Sequence, residues 1–160
     1  MNNTYKTAAG GLTVTFAATD QGLFLAGLTD EVSSRTYLRE IQPLFSLEYE
    51  CLESGERATV SSADGWTVAA VDAGKDARQF ILSGCAKLPD VIVTLTVRGG
   101  DTRIVYELSL SSANAAVTLT ACDWPNLCFD KAEKRVFFNP YGPGEVWPSD
   151  NEGGFSSTQN

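Results

Sequence analysis

Carboxylates near the end of this sequence are the side chains whose type and spacing could do acid–base chemistry. Glu145 lies in a stretch rich in aromatic, proline and glycine residues, with Asp123 before it and Asp150 after it. Hydrolysis of a glycosidic bond needs two carboxyl groups across a cleft, one as acid and the other as base or nucleophile. In an acidic β-protein, carboxylates more often occupy solvated turns. We therefore expect these residues to be non-catalytic, and we predict no catalytic residue in the chain itself.

The chain contains no histidine, and this removes most other catalytic constellations. A Ser-His-Asp triad and a Cys-His pair both need an imidazole base. Neither a phosphate-binding P-loop nor a GxGxxG turn into a helix is present. Gly99 and Gly100 instead join two alternating apolar stretches.

Metal binding has little support in the sequence. The four cysteines form no CxxC pair, so we predict that they are reduced structural thiols, with a Cys122–Cys128 bridge as the alternative. Asp123, Asp130 and Glu133 lack the tight alternating spacing of a calcium-binding loop. We predict neither a metal nor another cofactor.

Composition narrows the class of partner. The chain has 160 residues and a formal net charge of −8, which suits one globular domain with an acidic surface. Such a surface repels nucleic acid and anionic membranes, and no apolar run is long enough to cross a bilayer. The first residues lack the charged and apolar regions of a signal peptide, which predicts a cytoplasmic protein.

Alternating apolar residues predict strands throughout the chain and no helix. Apolar residues recur at every second position over 91–97, and Gly99-Gly100-Asp101 then predicts a hairpin into a similar stretch over 104–110. Shorter alternating runs begin at residues 12, 44, 66, 78 and 115. Short strands at regular spacing predict an all-β fold, an antiparallel β-sandwich. Trp66 lies within a strand pattern and is predicted to belong to the core.

Residues 136–148 concentrate aromatic, proline and glycine residues as no other segment does. Because proline lacks a backbone donor and glycine permits positive φ, we predict a shaped loop without ladder pairing. Aromatic rings on such a loop either stack on sugar rings or pack over the sandwich or a neighbouring domain. The candidate ligand-binding or domain-interface residues are Trp124, Asn139, Tyr141, Glu145 and Trp147. Trp124 is equally suited to capping the sandwich and to facing a ligand.

Several of these stretches resemble the N-terminal β-supersandwich (galactose mutarotase-like) domain of bacterial glycoside hydrolases. The resemblance is carried by Gly11–Phe16, by Gly22-Leu23-Phe24, by Leu28-Thr29-Asp30 with Ser34–Leu38, by Trp124–Leu127 and by Phe137–Gly142. It covers most of residues 10–148 and implies a supersandwich-like fold, incomplete here, that is associated with carbohydrate processing. The mutarotases of this superfamily depend on histidines, so the resemblance carries no catalytic residue over to this chain.

The resemblance implies an accessory domain that supports a catalytic barrel and adds glycan contacts through the 139–147 loop. A stand-alone glycan-binding module and an Ig-like or adhesin-like interaction domain are the alternatives. We predict a β-sandwich domain over residues 1–148 and a flexible tail or truncation point over 149–160. The predicted partners are a carbohydrate, an adjoining barrel or both. Sheet edges left open by an incomplete sandwich would favour self-association.

Overall fold

A computed structural model describes residues 3–38, 40–74, 76–113 and 116–126, together with the backbone of strands Val136–Asn139 and Glu145–Pro148. The chain divides into two compact units, Met1–Cys128 and Phe129–Asn160. Every regular element in the described residues is a β-strand, and the predicted all-β class is confirmed. The described part of the chain contains no helix with the length and apolar character needed to cross a membrane. The boundary at residue 148 stays a prediction.

The first unit contains twelve described strands. They are β1 (Asn3–Ala9), β2 (Leu12–Ala18), β3 (Leu23–Asp30), β4 (Arg35–Thr36), β5 (Gln42–Pro43), β6 (Ser46–Cys51), β7 (Arg57–Ser61), β8 (Thr67–Asp72), β9 (Ala77–Ser83), β10 (Val91–Gly99), β11 (Ile104–Ser112) and β12 (Val117–Asp123). The second unit contains β13 (Val136–Asn139) and β14 (Glu145–Pro148).

The strands of the first unit form three antiparallel sheets. The first sheet has the order β1-β2-β3, with the short β4 and β5 both paired to β3. The second sheet has the order β11-β10-β9-β8, and the third has the order β12-β6-β7. Most pairs join strands that are neighbours in the chain, which is typical of antiparallel β-sandwiches built from hairpins and meanders.

One apolar core is shared by the three sheets. It takes Val14 and Phe16 from the first sheet, Phe80 and Leu95 from the second, and Leu47 from the third. The alternation over 91–97 is confirmed, because all four apolar residues at odd positions of that stretch are at most 2% exposed. Burying a large apolar side chain contributes about 1.5–3 kcal/mol. The shared core therefore holds the three sheets together as one unit.

Ser62 connects the first and third sheets through buried hydrogen bonds. Its hydroxyl accepts the Leu44 amide hydrogen bond at 2.7 Å and donates to the Leu23 carbonyl oxygen at 2.6 Å. Its own amide donates to the Phe45 carbonyl at 3.0 Å, and its carbonyl accepts from the Leu23 amide at 2.9 Å. A Cβ on Gly22 would collide with that carbonyl oxygen, and Gly22 has a φ of +135°. Glycine is therefore required where these backbones meet.

Gly99 permits a second close approach between two backbones. A Cβ at this position would collide with the Ala8 carbonyl oxygen, so β1 runs directly against the end of β10. The Gly99 amide donates a hydrogen bond to the Asp76 carbonyl at 2.7 Å. The end of the second sheet is thereby attached both to β1 and to the turn between β8 and β9.

The prediction of an unpaired loop over residues 136–148 is wrong. β13 and β14 pair as an antiparallel hairpin in which Phe137 lies opposite Trp147 and Asn139 lies opposite Glu145. Proline is compatible with this ladder because Pro140 and Pro143 fall between the two strands, and Pro148 is the last residue of β14. Proline disrupts a ladder in a strand interior and is tolerated at a strand end.

The strand predicted from residue 115 is confirmed as β12, but its alternation does not produce a buried face. Val117 is half-buried, whereas Leu119 is 37% exposed and Ala121 is exposed. β12 is an edge strand, and a register shift between Leu119 and Ala121 interrupts its pairing with β6. A bulge of this kind bends the strand and re-aims its side chains.

Candidate functional site

Trp124 packs against the core of the first unit. Its half-buried ring meets the ring of Tyr106 edge to face, with centroids 6.0 Å apart, and Tyr106 in turn lies 6.4 Å from Phe16. The following turn is attached to the sandwich, because the Asn126 amide donates to the Leu44 carbonyl at 2.9 Å. Of the two roles predicted for Trp124, these contacts favour closing the edge of the core.

The position of Tyr106 in this aromatic cluster changes the pKa of its hydroxyl group. Burial disfavours the phenolate and raises the pKa of Tyr106 to about 12. Tyr106 and Trp124 both pack against the apolar core, as expected for residues at its margin.

The other aromatic side chains of the first unit are also committed to packing. The Tyr5 ring has the Phe80 ring 5.3 Å away and the Arg78 guanidinium 5.4 Å away. Trp66 is 1% exposed, which confirms that it belongs to the core, and its indole N–H donates to the Ser61 carbonyl at 2.8 Å. Within residues 3–38, 40–74, 76–113 and 116–126, every aromatic side chain is buried or half-buried. This part of the chain therefore offers no fully exposed ring for stacking on a sugar.

The β13–β14 hairpin contains three of the predicted site residues. Asn139 and Glu145 are directly opposed at the turn end of the hairpin, and Trp147 is opposed to Phe137. Because positions two apart along a strand share a face, these four residues occupy one face of the hairpin by register. The prediction at Tyr141 lies outside the described residues. Trp124 belongs to the first unit.

The two predictions that involved acidic clusters are only partly covered by the structure. Asp123 is exposed at the end of β12, opposite Ser46. Asp130, Glu133 and Asp150 lie outside the described residues. In the described ranges, no group of three or more histidine, cysteine or acidic side chains could hold a metal ion.

Three of the four cysteines are free thiols in the structure. Cys51 is half-buried, Cys85 is buried and Cys122 is exposed. The Cys85 thiol lies 3.2 Å from the Asp64 carbonyl oxygen, as expected for a structural thiol. Hydrogen bonds from Ser54 and Glu53 lower the pKa of Cys51 below its usual value. Cys128 lies outside the described residues.

Sequence reasoning missed a charged cleft of about 160 Å³ between β1 and the turn that joins β8 to β9. Lys6, Asp72, Asp76 and Arg78 contribute to its lining. The Arg78 guanidinium forms an ion pair with Asp72 at 2.5 Å, and its buried Nε atom has no hydrogen-bond partner among the described residues. In the amino-acid sequence, these charged residues are indistinguishable from the solvated charges of ordinary turns. Among the described residues, the cleft is lined by two basic and two acidic side chains, so its charge favours neither an anionic nor a cationic ligand.

The outward face of the second sheet was likewise not apparent from the sequence. One row across it contains Ala69, Ile81, Thr94 and Ser109, which pair directly from β8 to β11. Neighbouring rows add Thr67, Val71, Gln79, Ser83, Ile92 and Ser111. None of these residues is charged, although the chain has a net charge of −8. We call these ten residues the uncharged face. The row of Val71 and Gln79 continues through Thr96 to Glu107, so the uncharged face ends there, at the ion pair between Glu107 and Arg98.

No model of a protein family matches the chain, and no curated protein matches it. Function is therefore argued from the residues of this chain.

Proposed function

We propose that this chain is a non-catalytic β-sandwich domain associated with a carbohydrate-processing enzyme, where it supports a catalytic barrel. The observation that carries the proposal is the uncharged face. Interface cores are depleted in charged residues, and an acidic protein that keeps ten neighbouring positions uncharged has a surface suited to packing against another domain. Ile92, at 42% exposed, and Val71, at 45% exposed, are the exposed large apolar residues on that face, and Ile81 is half-buried there.

The carbohydrate association is supported by the resemblance of Gly11–Phe16 and the later stretches to the supersandwich domain of bacterial glycoside hydrolases. The antiparallel β-sandwich is compatible with that resemblance. The domain would contribute to catalysis without reacting groups of its own. It would support the barrel and orient the glycan, so that the reacting groups meet in a productive geometry.

The β13–β14 hairpin is the part of the chain that would contact the glycan. Asn139 and Trp147 occupy positions on the same face, where an amide can bond to sugar hydroxyls and an indole can stack on a pyranose ring. Tyr141 would contribute a second ring. The described aromatic residues of the first unit are buried or half-buried, so this contribution would come from the second unit.

The gene sequence beyond the codon for Asn160 tests the proposal directly. We expect the reading frame to continue into a long alternation of strand and helix patterns with acidic residues at strand ends, as in a catalytic barrel. A stop codon at that point would refute the barrel-supporting role. A stand-alone glycan-binding module would then be the hypothesis to test, by calorimetric titration of soluble oligosaccharides into the chain and its Trp147→Ala variant.

In the longer protein, a lysine on the uncharged face tests how the domain is attached. Ile92→Lys should lower the melting temperature of the barrel, because it places an unpaired charge in the interface between the two domains. Leu119→Lys is the matched control, since Leu119 is 37% exposed on β12 and does not belong to the uncharged face. Equal melting temperatures for the two variants would contradict docking through this face.

A further inference from the structure

The charged cleft between β1 and the β8–β9 turn has the size of a site for a small molecule. Its volume is about 160 Å³, below the roughly 300–1,000 Å³ of pockets that hold drug-sized ligands. Its lining includes Lys6, Thr7 and Ala8 from β1, and Asp72, Asp76 and Arg78 from the turn and its flanking residues. A ligand of this cleft would therefore be small and would meet charged groups on both sides.

Backbone contacts hold the two sides of the cleft in place. The Ala73 amide donates to the Ala77 carbonyl at 3.2 Å, and the Gly99 amide donates to the Asp76 carbonyl at 2.7 Å. Gly99 also lies against the backbone of Ala8, so β1 and the turn are both attached to the end of β10. The cleft is therefore preformed, and binding does not require these backbone segments to become ordered.

Arg78 has a fixed position in the lining but lacks one hydrogen-bond partner. Its guanidinium lies 5.4 Å from the centre of the Tyr5 ring and forms an ion pair with Asp72 at 2.5 Å. Its buried Nε–H has no hydrogen-bond partner among the described residues. Buried donors are seldom left unpaired in folded proteins, so an acceptor is missing at this side chain.

Lys6 and Asp76 bring one charge of each sign to the cleft. Both line it, and neither forms an ion pair with any other residue that the structure describes. An anion would be attracted by Lys6 and repelled by Asp76, whereas a cation would experience the reverse. A molecule that carries both charges is attracted by both side chains. Lys75, which precedes Asp76 in the chain, lies outside the described residues.

We propose that the charged cleft binds an α-amino acid, with its carboxylate at Lys6 and Arg78 and its ammonium group at Asp76. An α-amino acid carries both charged groups on one carbon, which suits the small volume of the cleft. Its carboxylate is the kind of acceptor that Arg78 lacks, and a charged donor and acceptor form a strong hydrogen bond. Its ammonium group has three donors for the carboxylate oxygens of Asp76. A neutral polyol forms hydrogen bonds but leaves both charges unpaired.

Titration calorimetry with L-alanine tests the proposed class of ligand, because L-alanine presents both charged groups with a side chain of one methyl group. We expect the whole chain to bind it with a dissociation constant of about 1 mM or lower. Propionate lacks the ammonium group and ethylamine lacks the carboxylate. Each should bind at least about tenfold more weakly than L-alanine, because each is attracted by one charge of the cleft and repelled by the other.

Replacing the two unpaired charges tests the site itself. Lys6→Gln and Asp76→Asn should each weaken L-alanine binding at least about tenfold. Arg103→Gln and Asp20→Asn are the matched controls, since both side chains are exposed outside the cleft and undergo the same changes in charge. The controls should bind L-alanine as the wild type does, and circular dichroism melts should show that every variant is folded.

The proposal is overturned if L-alanine does not bind, or if propionate, ethylamine or glucose binds as tightly as L-alanine. Equal losses of binding in the cleft variants and in the controls would also contradict it. Loss in Lys75→Gln without loss in Lys6→Gln would show that the carboxylate is not held at Lys6. These outcomes do not depend on a barrel or on glycan binding by the β13–β14 hairpin, so failure of this proposal and failure of the proposed function are distinguishable.

Discussion

Replacement of Ser62 by alanine tests whether the first and third sheets are joined as the structure indicates. Ser62 is 0% exposed, and its hydroxyl is the hydrogen-bond partner of both the Leu44 amide and the Leu23 carbonyl. Alanine removes the hydroxyl and preserves the backbone bonds of residue 62. The substitution therefore isolates the two side-chain hydrogen bonds that connect the start of β3 to the segment before β6.

The cost follows from leaving these groups without partners away from water. A buried donor or acceptor that loses its partner costs about 1–3 kcal/mol, and the Leu44 amide has only one hydrogen to place. A carbonyl oxygen is less demanding than an amide that has a single hydrogen to place, so we take the contribution of the Leu23 carbonyl at the low end of this range. We expect Ser62→Ala to lower the free energy of unfolding by about 2–4 kcal/mol, a large share of the stability of an ordinary domain.

Urea unfolding followed by circular dichroism measures this loss. With an ordinary denaturant dependence, the transition midpoint should fall by about 1–2 M. Ser111→Ala is the control, because Ser111 is exposed on β11 and its replacement should change stability by less than about 0.5 kcal/mol. If both variants unfold at the same urea concentration, Ser62 does not join the sheets and the account of this contact is wrong.

Two further predictions concern Gly99 and Tyr106. Gly99→Ala should strongly lower the urea concentration at which the protein unfolds, because the new Cβ would collide with the Ala8 carbonyl oxygen. Gly100→Ala is the control and should lower it much less, because the nearest atom to its Cβ would be 3.5 Å away. Equal effects of the two substitutions would contradict the close approach of β1 to Gly99. An absorbance titration at alkaline pH should show a tyrosine that ionises with a pKa of about 12, and Tyr106→Phe should remove that step. Because unfolded tyrosine ionises near its ordinary value of 10.0 and the folded residue stays neutral, the free energy of unfolding should fall as pH rises from 10.0 to about 12. A titration curve unchanged in Tyr106→Phe would show that this residue is not the one shifted.

The sequence predicted the elements whose patterns are local and strong. The β10–β11 hairpin followed from alternation over residues 91–97 and from the Gly99-Gly100-Asp101 turn, and both are present in the structure. β7 could not be found in this way, because Arg57–Ser61 contains a single buried apolar residue, Val60. It forms a strand because β6 supplies its pairing partner, and that requirement is tertiary.

The candidate site was less predictable than the fold. Trp124 contacts Tyr106 only because β12, which precedes it, returns to pair with β6. No local pattern reports a contact of this kind. The prediction of a loop over residues 136–148 was wrong because it took the prolines to exclude strand pairing throughout the segment. They fall at positions that permit a short hairpin.

The strand order has a consequence for how the protein is made. β1, β2 and β3 pair in sequence order, as do β8 to β11, so these sheets can form as the chain leaves the ribosome. The third sheet is different, because β6 can pair with β12 only after the whole of the second sheet has been synthesised. Until then the β6–β7 hairpin keeps one long edge unpaired. We expect nascent chains that end before Val117 to be the ones that most need protection by chaperones.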